Sequence, residues 1–231
     1  WKMTTTVPVV AIDGPGGAGK GEISRAVARK LGWHLLDSGA LYRIVALTAI
    51  TRSVDLTDAQ TLADLTRNLV VRFDNIGDGV RVFLRGRDVG ESIRSEEYGL
   101  VASVIASIPA VREALITTQR SFRQAPGLVA DGRDMGSVVF PDAGLKIFLT
   151  ASIAERAWRR HKQLKDKGID VSLPGLSTDM EERDQRDSER STAPLQASTD
   201  ARVLDTTRLS IPDVVQRVLR WVAEIYPQQL V

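Results

Sequence analysis

The sequence predicts an α/β protein: an open, five-stranded parallel sheet with helices on both faces, interrupted by a smaller antiparallel piece. Three observations predict it. Short apolar runs with few internal charges recur along the chain, as strands covered on both faces require. Segments of helical period lie between them, and a glycine-rich turn joins the first run directly to the first helical segment. At 231 residues the chain is long enough for one large domain with a real core, taken as residues 7–231.

Val7–Asp13 reads as the first strand, Lys20–Leu31 as a helix with Ile23, Ala26, Val27 and Leu31 on one side, and His34–Asp37 as the second strand. Asp37-Ser38-Gly39 leads into another helix, with Ser38 as its cap. Thr57 opens a shorter helix, Thr57–Leu65. Leu69–Asp74 and Val80–Val89 alternate in polarity around the turn sequence Asn75-Ile76-Gly77-Asp78-Gly79, which predicts an antiparallel ribbon inserted between the second and third core strands. The insert as a whole is taken as about 57–110.

Pro109 starts an amphipathic helix running to about Arg123. Gly127–Asp131, Leu145–Thr150 and Arg202–Thr206 supply the remaining three core strands. Ser152 with Glu155 is a capping box opening Ile153–Lys165, and Ser210 with Asp213 opens a final helix through Val214, Val215, Val218, Leu219, Val222 and Ile225. Between them the helical pattern breaks at Gly168 and resumes near Ser177 after Pro174-Gly175, a build suited to a closing lid over about 156–190. Trp158 and Trp221 lie beside apolar neighbours and are read as packing residues. Thr4–Thr6 reads as the start of a frayed end, and Trp1-Lys2, ahead of Met3, as vector remnants.

Composition narrows the chemistry. Thirty-one Lys and Arg against 29 Asp and Glu leave a net charge of +2, too small to imply a polyanion partner. The absence of cysteine removes disulfides, thiol redox chemistry and every Cys-bearing zinc or iron–sulfur site. With only two histidines, His34 and His161, and neither at triad-like or metal-like spacing from an acid, any metal is expected to be oxygen-bound. The apolar run Val7–Ile12 is far shorter than a membrane span and ends in Asp13-Gly14-Pro15 rather than a cleavage site, so a cytoplasmic protein is expected.

Gly14-Pro15-Gly16-Gly17-Ala18-Gly19-Lys20 satisfies G-x-x-x-x-G-K between a strand and a helix. Backbone N–H groups of such a loop turn inward, the helix N-terminus adds partial positive charge, and Lys20 supplies an ammonium for the outer phosphates of a nucleotide. A dinucleotide fingerprint fits less well, because Lys20 would have no role and no suitable acid ends the second strand. Two positions depart from the usual loop. Gly21 stands where many such proteins carry a magnesium-binding hydroxyl, and Glu22 puts a carboxylate at the first helical turn. That charge suits the helix end but repels phosphate, so weaker triphosphate affinity is expected than with threonine there.

Further along, Arg43 can grip a phosphate with its planar fork and Tyr42 can brace a base. Asp131-Gly132-Arg133-Asp134-Met135-Gly136 ends a core strand, where open sheets place ligands; Arg133 suits a phosphate and Asp134 an exocyclic amine or the arginine that reads it. Arg156, Arg159, Arg160, Lys162, Lys165 and Lys167 crowd one helix; on the next, Arg183, Arg186 or Asp187, and Arg190 share a face. Lys162, Lys165, Lys167 and Glu189 read as a solvated face. Mixed signs and missing aromatics argue against a nucleic-acid groove. Phosphoryl transfer suits this inventory. It needs in-line placement and cations on the transferring oxygens, and an acceptor phosphate is already an adequate nucleophile.

Ile12-Asp13-Gly14-Pro15 through Gly21, Leu35–Arg43, Ala130–Gly136 and Arg183–Arg190 together resemble the bacterial cytidylate kinase family over nearly the whole chain. The resemblance implies a P-loop nucleoside monophosphate kinase core with a mobile lid and an enlarged monophosphate-binding insert, which the ribbon at Leu69–Val89 matches. It implies transfer of the γ-phosphate of ATP, with Mg²⁺, to CMP or dCMP. By the same resemblance Ser38 contacts the monophosphate nucleotide with Tyr42 beside it, and Arg43 and Arg133 hold its phosphate. Ser103, Arg112 and Asp134 read cytosine, Arg183 and Asp187 the ribose, and Arg190 a phosphate near the transferring group.

Lys20, Arg133 and Arg190 are then the catalytic set, and Arg159 joins the loop residues Gly14 to Glu22 on the donor side. No side chain is expected to ligate the metal directly; Asp37, Glu22 and Asp131 would reach it through water. Gly16, usually serine, and Glu22, usually threonine, break the family pattern. Alternatives remain: a kinase for another small acceptor such as shikimate or a different nucleotide, or a nucleotide-binding protein impaired by Glu22. A monomer is expected, with no nucleic-acid polymer and no membrane as partner.

Overall fold

Val9–Asp13 (β1), His34–Asp37 (β2), Leu128–Asp131 (β6), Leu145–Thr150 (β7) and Arg202–Asp205 (β8) pair side by side, all parallel, in the order β2-β6-β1-β7-β8. The computed structural model in which they do so describes residues 6–76 and 79–229. The register places Ile12 and Asp37 both opposite Asp131, so the carboxyl ends of three strands deliver their side chains to one edge of the sheet.

Alternation along each strand divides the core in two. Val9, Ala11, Leu36, Leu128 and Ala130 face one layer, with the helices Ser38–Thr51 (α2), Ala59–Arg67 (α3), Glu96–Ile105 (α4) and Pro109–Ser121 (α5). Val10, Ile12, Leu35, Val129 and Ile147 face the other, with Lys20–Leu31 (α1) and Ile211–Ile225 (α8). Both sides of β1 and β6 are therefore buried, which is why those strands read as apolar runs. The remaining helices, Ile153–Asp166 (α6) and Leu173–Ser188 (α7), follow β7. Among the described residues no single helix is long and apolar enough to cross a membrane.

The inserted piece is a three-stranded antiparallel sheet, Val71–Ile76 (β3), Gly79–Leu84 (β4) and Arg87–Asp88 (β5). The predicted second strand is thus two strands, because Arg85 and Gly86 both take positive φ and turn the chain between them. Positions 77 and 78 of the predicted turn lie outside the described residues, as does the predicted fraying at Thr4 and Thr5. Val82, Val89 and Ile93 dock this sheet on Ala40 and Ile44 of α2.

Three local corrections share one cause, competition between neighbouring polar side chains for the same partners, and three others concern helix bounds and exposure. Asp37, not Ser38, caps α2, accepting from Ala40 N at 3.0 Å. Asp58, not Thr57, caps α3, since Thr57 gives its N–H and hydroxyl to Asp55. Ser152 caps α6 but Glu155 turns to Arg159, so only half of the predicted capping box forms. Ser172 caps α7, which starts at Leu173 rather than near Ser177 and carries Pro174 in its first turn, where a missing N–H does no harm. The helix from Pro109 stops at Ser121, short of Arg123. Trp158 is 54% exposed instead of packed, lying against His161 on the outer face of α6.

Candidate active site

A cleft of about 840 Å³ opens beside the turn from β1 into α1 and runs between α4, α6 and α7. Gly14 permits the first bend of that turn. Its φ is 145°, and a Cβ there would stand 2.0 Å from the Leu149 carbonyl oxygen, a contact no side chain survives. Gly16, Gly17, Gly19, Lys20, Gly21 and Glu22 line the cleft, while Pro15 and Ala18 are drawn into or against the body of the loop. Lys20 Nζ donates to Pro15 O at 2.8 Å, so the ammonium is held inside the curl of its own loop.

Beneath the loop three buried ionisable groups face one another. Asp13 accepts from Met135 N and Gly136 N, both at 2.8 Å, tying the end of β1 to the turn after β6. Burial pushes its carboxyl up to about 6 despite those two donors. Burial, with Arg133 nearby, pushes Lys20 down to about 7; burial pushes Asp131 up to about 7 against the attraction of Lys20. Lys20 and Asp131 are therefore a coupled pair, each driven by burial toward its neutral form.

An arginine shell surrounds this centre. Arg133 Nε donates to Asp187 Oδ2 at 3.0 Å, and its Nη2 lies 3.6 Å from where a Gly16 Cβ would stand. Arg190 donates to the other oxygen of Asp187. Burial works against the Asp187 charge, but Arg133, Arg190 and Arg183 outweigh it and hold the carboxyl below its usual range. Burial, with Arg133 close, brings Arg183 down to about 10. The Nε atoms of Arg183 and Arg190 are buried with no partner among the described residues, donors left for something else.

The deep end of the site is a buried pair, Arg112 donating to Asp134 and also to Ala106 O at 3.0 Å. Arg112 lies over the Tyr42 ring, 6.0 Å from its centroid, and burial pushes the Tyr42 hydroxyl up to about 12. Burial also raises the Asp134 pKa in spite of its arginine. Ser103 on α4 lines the cleft with its Oγ buried and unpartnered among the described residues. Ser38 is buried and bonded to Gln119. Arg43 reaches the cleft wall with Nη1 held by Ile93 O at 2.8 Å and Ser95 O at 2.9 Å.

On the opposite wall Arg159 is fixed by Glu155 at 2.8 Å and by the Thr206 carbonyl at 2.6 Å, close to Gly19. Glu22 is exposed at the cleft edge. Among the described residues no three acidic or histidine side chains cluster as a metal cage. Asp37 and Asp131 line a pit of about 50 Å³ with Gly21, and Arg25, Arg43 and Arg94 line it too. Asp37 Oδ1 is already the cap of α2. Two carboxylates among three arginines make no cage of direct ligands, so a Mg²⁺ they hold beside bound phosphate would be held through its water shell.

Several residues here escape sequence reasoning. Arg156 looks like its neighbours Arg159 and Arg160 in sequence, yet it is buried, donating to Ala151 O and Gly16 O, each at 3.0 Å, and to Asp184 at 2.6 Å. It ties the phosphate loop to α7. Arg160 crosses the cleft to Glu96 on α4. Arg186, the alternative to Asp187 on the inward face, is exposed beside Glu182. Asp13 had a signal, a carboxylate closing an apolar strand just before the loop; the others had none.

A profile of the family described as Cytidylate kinase matches residues 10–224. The chain is 54% identical over 219 residues to a cytidylate kinase of Aeromonas salmonicida, covering 95% of each chain. It is 52% identical over 227 residues to a cytidylate kinase of Photobacterium profundum, covering 98% of this chain and 100% of that one. Among solved structures, TT1252 from Thermus thermophilus superimposes with a TM-score of 0.50 at 17% identity, over 95% of this chain and 98% of that one. An uncharacterized protein from Eubacterium ventriosum gives 0.51 at 10% identity, over 93% and 98%. Those two likenesses speak for the fold alone, whereas the profile and the close relatives carry the assignment: the chain belongs to the cytidylate kinase family.

Proposed function

We propose that the protein transfers the γ-phosphoryl group of ATP to CMP or dCMP, giving ADP and CDP or dCDP. The observation that carries this reading is the position of Arg133, one end of its guanidinium beside Gly16 of the phosphate loop and the other on Asp187, between a donor site and an acceptor site. Gly14 to Lys20 cradle the triphosphate, with Lys20 turning from Pro15 O to the outer phosphates. Arg133, Arg190 and Arg43 converge on the acceptor phosphate and on the charge that spreads over the transferring oxygens. The acceptor phosphate attacks without a general base, because it is already ionised at neutral pH.

At the deep end Asp134 accepts from the cytosine amine, while Arg112 and Ser103 donate to the ring nitrogen and carbonyl. Uracil presents an oxygen where cytosine presents that amine, so it would face Asp134 unpaired. Arg183 and Asp187 lie on the ribose side, and Arg159 on the donor nucleotide. Bound Mg²⁺ neutralises charge on the ATP phosphates, and Asp37 and Asp131 would hold it through water. Segment 156–190 serves as the lid and the segment 57–110 as the monophosphate-side insert, a reading supported by the Arg160–Glu96 pair that joins them across the cleft. The enzyme works as a monomer in the cytoplasm, where its nucleotides are.

An assay of ADP release with CMP, dCMP, UMP, AMP and shikimate tests the reading. CMP and dCMP are expected to be the preferred acceptors. Preference for AMP or shikimate, or ADP release that no acceptor stimulates, would overturn it.

A further inference from the structure

Gln119 on α5 donates from Nε2 to Ser38 Oγ at 2.9 Å, joining residues 81 positions apart. Both are buried, Gln119 at 1% and Ser38 at 3% exposure. A glutamine so placed must find partners, and this one gives a donor to a serine whose chain neighbours Asp37 and Ala40 line the pit beside Gly21. Ser38 is free to receive it because Asp37 caps α2 in its stead. The hydrogen-bond arithmetic then fixes a direction. A serine oxygen that accepts from an amide keeps its own proton to give, and the first turn of a helix offers N–H groups rather than acceptors.

The same face of α5 carries Arg112, seven residues before Gln119 and so about 10 Å along the helix. Arg112 lies over Tyr42, and Tyr42 is one turn beyond Ser38 on α2. The two helices thus meet through two side-chain contacts about 10 Å apart.

We propose that Gln119 is a positioning residue: it orients the Ser38 hydroxyl as a hydrogen-bond donor toward an acceptor oxygen of the bound monophosphate nucleotide. This rests on the reading of the site as a CMP site. Replacing the amide by a carboxylate reverses the polarity, since a carboxylate there takes the serine proton and turns lone pairs toward the ligand. Replacing it by leucine leaves the hydroxyl without direction.

Calorimetric Kd values for CMP and for ATP in Gln119→Glu, Gln119→Leu and Ser38→Ala, with both double variants, test the idea. Gln119→Glu is expected to weaken CMP by about 10-fold or more and Gln119→Leu by about 3-fold, with ATP changed less than about 2-fold. In the Ser38→Ala background both Gln119 effects should vanish. An unchanged CMP Kd in Gln119→Glu overturns the proposal, as do effects that persist fully without Ser38. If the carboxylate variant does not fold by circular dichroism, an unchanged CMP Kd in Gln119→Leu overturns it. Absence of CMP binding by the unsubstituted chain would instead sink the reading of the site, so the two failures are told apart.

Discussion

Arg133 and Asp187 meet at 3.0 Å, and the carboxylate that receives Arg133 on one oxygen receives Arg190 on the other. One buried anion therefore holds two guanidiniums that would otherwise repel each other next to the phosphate loop. Asp187→Asn is expected to destabilise the free protein by about 1–3 kcal/mol. Added CMP or inorganic phosphate should restore part of that loss, because a bound anion replaces the missing charge. The pH dependence has a definite sign. The Asp187 pKa lies below its unfolded value, so its contribution is present above about pH 4 and fades as acidification passes the lower native value. Urea unfolding with and without CMP checks this, and equal stability with equal CMP stabilisation in both proteins would refute it.

Arg112 and Arg190 should separate in kinetics. Arg112 is bonded to Asp134 in the deep end, away from the phosphate loop, so Arg112→Ala is expected to raise KM for CMP by about 10- to 100-fold with a smaller effect on kcat. Arg190 shares Asp187 with Arg133, and on the proposed role of these arginines Arg190→Ala should lower kcat by about 100-fold while donor binding changes little. Steady-state kinetics with the two effects exchanged would reverse the assigned roles.

Glu22 stands exposed on the cleft edge in the first turn of α1, directly after the Gly14–Lys20 loop proposed to cradle the triphosphate. Its charge favours the helix end but opposes phosphate, and the second effect acts only on the complex. Glu22→Thr is accordingly expected to tighten ATP by about 3- to 10-fold with little change in CMP affinity. Equal or weaker ATP binding by the threonine variant would remove the conflict.

Much of this arrangement was legible before any coordinates. The central strands β1 and β6 are buried on both faces and so are written as apolar runs, and Gly14 to Lys20 are a backbone-shape requirement spelled out largely in glycine. Choices decided by distant partners were not legible. Asp37 and Ser38 are both good caps; Asp37 takes that role, and Ser38 receives Gln119, 81 residues away. Arg156, Arg159 and Arg160 are the same residue type on one helix, yet one is buried against Gly16, one is pinned beside Thr206 and one crosses to Glu96. Sequence supplies the cations; which of them ties the loop, flanks the donor or spans the cleft depends on the direction in which α6 leaves the sheet.

The unit formed by Lys20 and Asp131 makes a last expectation specific. Burial drives the lysine well below its usual range and the aspartate above its own, so at about pH 8 the free protein holds less than a full proton's worth of positive charge on Lys20. A triphosphate arriving at the loop favours the ammonium, and binding must draw a proton from solution. At that pH the nucleotide itself is fully ionised, its last phosphate proton having a pKa of about 6, so it has no proton to take up of its own. Calorimetry of ATP binding at about pH 8 in two buffers of different ionisation enthalpy should report net proton uptake, and ATP affinity should weaken further as pH rises toward 9. In Lys20→Met the uptake should disappear along with most of the affinity, whereas in Arg159→Ala it should persist. Proton release on binding, or no buffer dependence at all, would mean that Lys20 is already fully charged in the empty loop.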